Sequence, residues 1–152
     1  MGDAAGISAE ITLKALADSE IAETCAPIII GDFDFLTQTA QELGLNLDLI
    51  ESETPLTGKI AVFNLKNLTE NFVIGKDAAI TGKASAEYIE TAVKLWREKK
   101  IDAIATAPIS KKSLSMGGYD FPGHTEFLAY LTDTKEFAMS FFAEDLRVVL
   151  LS

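Results

Sequence analysis

The sequence predicts a layered α/β fold built on a mixed, mostly parallel sheet, on three observations. Short continuous apolar runs such as Ile28-Ile29-Ile30 alternate with segments of helical spacing, as in chains whose strands are buried on both faces. Gly and Pro punctuate the boundaries between them. Two apolar runs near the end, 137–142 and 146–151, are separated only by Ala143-Glu144-Asp145, the spacing of a hairpin, and they break the strand–helix rhythm.

Taken in order, residues 9–25 carry Ile11, Leu13, Leu16, Ile21 and Ala22 near helical spacing. Residues 27–31 read as a buried parallel strand. Residues 34–43 return to a helix, which Gly44 closes. Two further strands are expected at 45–50 and 59–65, on either side of the breaker segment 53–58. Residues 67–81 show no decipherable pattern. The clearest helix spans 85–99, where Ala86, Ile89, Ala92, Val93 and Trp96 form one apolar stripe with Trp96 in the core. Lys99 and Lys100 favour the negative end of its dipole. Residues 101–105 read as a strand that Pro108 ends. Residues 110–116 and 125–131 read as short helices around the Gly117-Gly118 turn.

Composition excludes several functions. The 152 residues carry a net charge of −10, spread along helices, whereas nucleic-acid phosphates reward clustered Lys and Arg. No apolar run approaches the ~18 residues of a membrane span, and no leader pattern opens the chain. The single cysteine, Cys25, has no internal partner, which fits a cytoplasmic location, and a buried apolar role is expected for it. In so acidic a chain, an anion site has to be a local exception made from backbone N–H groups and one or two lysines.

Two polar clusters stand where such a site belongs, at a strand exit and after a glycine turn. The first is Thr106-Ala107-Pro108-Ile109-Ser110-Lys111-Lys112. The second is Gly118-Tyr119-Asp120-Phe121-Pro122-Gly123-His124-Thr125-Glu126, which holds the only histidine. A neutral imidazole and a hydroxyl at His124 and Thr125 offer donor and acceptor bonds to a hydroxylated, phosphorylated ligand. Lys111 reads either as a point charge for a carboxylate or phosphate or as part of a solvated helix face. Lys112 reads as solvated. Glu126 reads as an acid or base, or as a residue favoured by the helix dipole. In the opening run Gly2-Asp3-Ala4-Ala5-Gly6-Ile7-Ser8, either the glycines bring backbone N–H groups to a ligand, or Ser8 caps the following helix. It contains no G-x-G-x-x-G fingerprint.

These strings resemble the 4-hydroxythreonine-4-phosphate dehydrogenase family of vitamin B6 biosynthesis. The resemblance rests on TAPISKKSL and GYDFPGHTEFLAYLT. It extends to Gly2-Asp3-Ala4-Ala5-Gly6-Ile7-Ser8-Ala9-Glu10-Ile11, which is similar to the family's opening GDPAGIGPEI with Ala4, Ser8 and Ala9 as departures, and to Gly82-Lys83-Ala84-Ser85, where members carry Gly and Ser before a long helix. It implies a three-layer α/β/α fold like that of the isocitrate and isopropylmalate dehydrogenases. Residues 1–152 are then one partial unit, the N-terminal part of a longer two-domain dehydrogenase, without the strand preceding Met1 and without the second half. The implied reaction is NAD- or NADP-linked oxidation of 4-phosphohydroxy-L-threonine to a 3-keto acid that decarboxylates, in a homodimer, with a divalent metal (Zn, Mg or Co). The resemblance implies that His124, Thr125 and Lys111 bind substrate. The family's metal ligands are three histidines, the first in a T-H-x-P segment directly after the strand matching 146–152, so no metal ligand is expected within this chain. The fragment alone is expected to be inactive. The departures in the opening loop leave room for a paralogue acting on 4-phospho-threonate or 4-phospho-erythronate. A non-catalytic small-anion binding domain is the alternative from another class.

Overall fold

In the computed structural model, which describes residues 1–150, strands β1 (Ile28–Gly31), β2 (Leu49–Glu51) and β3 (Ile60–Asn64) form a parallel sheet in the order β1-β3-β2. Successive side chains of a strand point to opposite faces, and here both faces are covered. Ile29, Ile60 and Val62 pack with Ala9 and Leu13 of α1 (Ser8–Leu16) and with Leu36 and Ala40 of α3 (Phe33–Glu42). Ile30 and Phe63 pack on the other side with Ala84, Tyr88, Ala92 and Leu95 of α4 (Ala79–Arg97). The three layers follow directly from this alternation, and they explain why the β1 sequence is apolar at every position.

Local chemistry sets most boundaries. Asp32 caps α3 by accepting from the Phe35 N–H, and Gly44 (φ +68°) follows its last turn. The segment 9–25 is not one helix. It breaks after Leu16, and Asp18 starts α2 (Ser19–Thr24) by accepting from the Glu20 N–H at 2.9 Å. Cys25, expected to be buried, is exposed just past the end of α2. The strand expected at 45–50 is confined to its last residues, because β3 begins pairing only at Leu49↔Ile60. Leu45 and Leu47 pack on the core without a ladder.

Three differences have tertiary causes. Residues 101–105 are not a strand among the described residues. Ile101 and Ile104 join the core, yet no neighbouring strand lies alongside to take their backbone groups. The N-terminal residues lie between β1 and the following loop, with the Met1 nitrogen donating to the Ile30 carbonyl at 2.6 Å and the Asp3 N–H to the Pro108 carbonyl at 3.0 Å. Helix α4 starts six residues before Ser85 and contains Gly82, which therefore lies inside the helix and not ahead of it. Trp96 is 44% exposed, while Leu95 takes the core position at the spacing of Tyr88 and Ala92. One residue is a rotation of about 100° around a helix, enough to move Trp96 off the buried stripe.

The C-terminal hairpin is present as β4 (Ser140–Ala143) and β5 (Leu146–Val149), antiparallel with Ser140↔Val149. Leu151, expected within it, lies outside the described residues. The hairpin forms a sheet of its own, and every residue of both strands is exposed, including Phe141, Phe142 and Leu146. A lone hairpin is marginal in water, and its open edges are templates for pairing. The 152-residue chain by itself is therefore expected to self-associate. Analytical ultracentrifugation over a dilution series checks this; a monomer at all concentrations with a single cooperative unfolding transition contradicts it. No helix among the described residues is long and apolar enough to cross a membrane.

Candidate functional site

The site forms where the two polar clusters meet. Helix α5 (Lys111–Met116) begins at Ser110, whose side chain accepts from the Ser113 N–H at 3.1 Å, so the following residue, Lys111, occupies its first turn. After α5 the chain reverses through Gly118 (φ +92°), where the Tyr119 N–H returns to the Leu114 carbonyl. Helix α6 (His124–Thr132) then starts without a side-chain cap. Its anchor is Phe127, fully buried among Ala86 and Ile89 of α4 and Leu114 of α5, and stacked on Phe121 at 4.4 Å. That anchor fixes where the first turn of α6 lies, and with it His124 and Thr125.

Lys111, His124 and Thr125 line one groove of about 780 Å³, with Thr106 beside them and Leu128 and Met139 on its apolar side. The Lys111 side chain runs past Gly123: a Cβ at that glycine would lie 3.8 Å from Lys111 Cε and 3.6 Å from a Glu126 carboxylate oxygen. Glu126 is exposed in the first turn of α6 and lines the same groove. The first turn of α6, which has no side-chain cap, also lines the groove, and the first N–H groups of a helix favour an anion. The half-buried His124 ring is held below its ordinary pKa by desolvation, against which the Ala107 backbone works in the other direction. The ring is thus neutral near pH 7, and its Nε2 is buried without a hydrogen-bond partner. Lys111 makes no ion pair among the described residues, whereas Lys112, 76% exposed, faces Asp77 at 3.3 Å.

In the opening glycine run the capping role considered for Ser8 is not the one it plays. Ile7 precedes α1, and Ser8 does not cap it. The Ser8 hydroxyl, fully buried, donates to the carbonyls of Asp3 (2.8 Å) and Pro108 (2.9 Å), and the Asp3 carboxylate accepts from the Ala5 N–H. The Ser8 hydroxyl and the Asp3 N–H both tie the loop to the Pro108 carbonyl, so it acts as a strut for the Thr106–Pro108 wall of the groove. Sequence reading missed Asp3 in this role; the only signal was an acid between two glycines. Among the described residues no three His, Cys, Asp or Glu side chains come together as a metal site.

The family model for "Pyridoxal phosphate biosynthetic protein PdxA" matches residues 23–152. The chain belongs to this family. A D-threonate 4-phosphate dehydrogenase of Cupriavidus necator is 43% identical over 98% of the chain and 46% of its own length. Among solved structures, a 4-hydroxythreonine-4-phosphate dehydrogenase from Burkholderia phymatum superposes with a TM-score of 0.90 at 39% identity, covering 98% of this chain and 47% of that one. The Klebsiella pneumoniae protein of the same description gives 0.89 at 31%, with the same coverage. The α/β architecture with its parallel sheet is thus that of the PdxA family, and the chain spans about half the length of the relatives it matches.

Proposed function

We propose that this chain is the N-terminal part of a PdxA-family dehydrogenase, and that its groove binds the phosphorylated end of a four-carbon hydroxy acid. The convergence of Lys111, His124 and Thr125 on one groove carries the reading. Lys111 and the first turn of α6 supply positive potential for a phosphate. Thr125 gives and accepts hydrogen bonds, and the Nε2 of neutral His124, buried without a partner among the described residues, would be satisfied by a substrate group packed against the ring. The favoured substrate is D-threonate 4-phosphate, the compound in the name of the 43% identical relative. 4-Phosphohydroxy-L-threonine is the second, the compound named for the two solved structures; with it the protein would serve pyridoxal phosphate synthesis. The two acids differ at C2, a hydroxyl against an amine. In both, oxidation of the C3 alcohol leaves a ketone β to the carboxylate, which then loses carbon dioxide.

NAD or NADP is the hydride acceptor in this reading. A divalent metal (Zn, Mg or Co) belongs to it as well, with its ligands outside the described residues. A cytoplasmic homodimer completes the picture. The test measures kcat/KM of the complete protein for both acids, with NAD and with NADP, in the presence of each metal. The threonate ester is expected to lead by about tenfold or more, since a site that hydrogen-bonds a hydroxyl rejects a group that pairs differently. Phosphate binding without oxidation of either acid would instead make it an anion-binding domain.

A further inference from the structure

Helix α5 is only six residues long, too short to hold its own direction in water. Its orientation therefore comes from its surroundings: its middle packs on Gly82 of α4 through Ser113 and Leu114, and its start is gripped by residues 77 and 78, more than thirty positions earlier in the chain. One oxygen of Asp77 accepts from the Ser110 hydroxyl at 2.6 Å, and the Ser113 hydroxyl approaches the same oxygen at 3.5 Å. The other oxygen lies 3.3 Å from Lys112 Nζ. The Ala78 N–H donates to the Ser113 hydroxyl at 3.2 Å, and Ser113 is fully buried. Ser110 and Ser113 are also the residues that build the helix cap. The hydrogen bonds and charge around Asp77 hold its carboxylate below its ordinary pKa, so the grip is charged at neutral pH.

Two lysines in succession stand about 100° apart around a helix, and only one has a partner. Lys112 is drawn to Asp77, and Lys111 is left beside Gly123 at the mouth of the groove. We propose that Asp77 is a positioning residue for the anion site: it holds the start of α5 through Ser110 and Ser113 and occupies Lys112, so that Lys111 is the lysine presented to substrate. This rests on the proposed function, in which Lys111 meets the phosphate.

The test uses the complete protein, with inorganic phosphate as a calorimetric probe and the better of the two phosphorylated acids for kinetics. Asp77→Ala is expected to raise KM and the phosphate Kd by about tenfold and to leave kcat within about twofold, since a displaced binding group costs affinity before chemistry. Asp77→Asn keeps an acceptor for Ser110 and is expected to recover most of the loss; an Asn variant no better than Ala overturns the proposal. Should Asp77→Ala fail to fold, Ser110→Ala carries the test, with the same rise in KM expected and an unchanged KM counting against it. Lys111→Ala separates the two levels. If it leaves phosphate affinity unchanged, the anion reading of the groove fails. If it weakens phosphate while Asp77→Ala does not, the positioning role alone fails.

Discussion

Replacing His124 or Thr125 by alanine in the complete protein is expected to lower kcat/KM for the phosphorylated acid by roughly ten- to a hundredfold, because a buried polar group that loses its partner costs about 1–3 kcal/mol. Metal content and NAD affinity should stay near the parent's. The structure separates this from a folding effect. Thr125 is exposed, and α6 is held by Phe127 and its aromatic neighbours and not by the two site residues. His124 has a neutral ring and a buried Nε2 with no hydrogen-bond partner among the described residues, so truncating it takes from the fold little beyond its contact with the Ala107 backbone. Steady-state kinetics with elemental analysis of the same preparations decides the matter. If His124→Ala strips the metal while the fold survives, the ring is a metal ligand and the assignment is wrong. If both variants retain full activity, the polar cluster is structural.

Gly82→Ala is expected to be the most destabilising small substitution in the α/β layers. Two effects oppose each other. Alanine is better than glycine inside a helix by about 1 kcal/mol. The new Cβ, however, would stand 1.7 Å from the Ser113 carbonyl oxygen and 2.0 Å from its carbon. These are backbone atoms, so no side-chain rotation relieves the contact, and α5 has to move away from α4. Overpacking of this kind typically costs about 1–3 kcal/mol, and more where the backbone must shift; the clash wins. Urea unfolding of the complete protein should show a clearly lower midpoint, whereas Lys94→Ala on the exposed face of α4 should change stability by no more than about 0.5 kcal/mol. Displacing α5 also displaces Lys111, so phosphate affinity should fall in step. An unchanged midpoint would mean that the two helices separate at little cost.

Much of the architecture was legible because it is written at short range. By itself the sequence determined the buried strand at Ile28–Gly31, the helix that Gly44 closes, the hairpin around Glu144 and Asp145, and, to within one residue, the helix that follows the Pro122-Gly123 turn. Each depends on a period or a cap spanning a few residues, where backbone sterics and local hydrogen bonds decide. Only the tertiary structure decided the rest, because the deciding atoms lie far off in the chain. Gly82 belongs inside a helix because Ser113 crosses it. Ser8 is a strut and not a cap because Pro108 sits above it. The residues at 101–105 form no ladder because a strand needs a neighbour, and Trp96 yields its place to Leu95 because the sheet lies on the other side. The same holds for the two adjacent lysines. The residues alone left Lys111 open between a ligand contact and a solvated face; in space Asp77, more than thirty residues earlier, lies 3.3 Å from Lys112, while Lys111 lines the groove, since a charge finds its partner by distance in space and not along the chain.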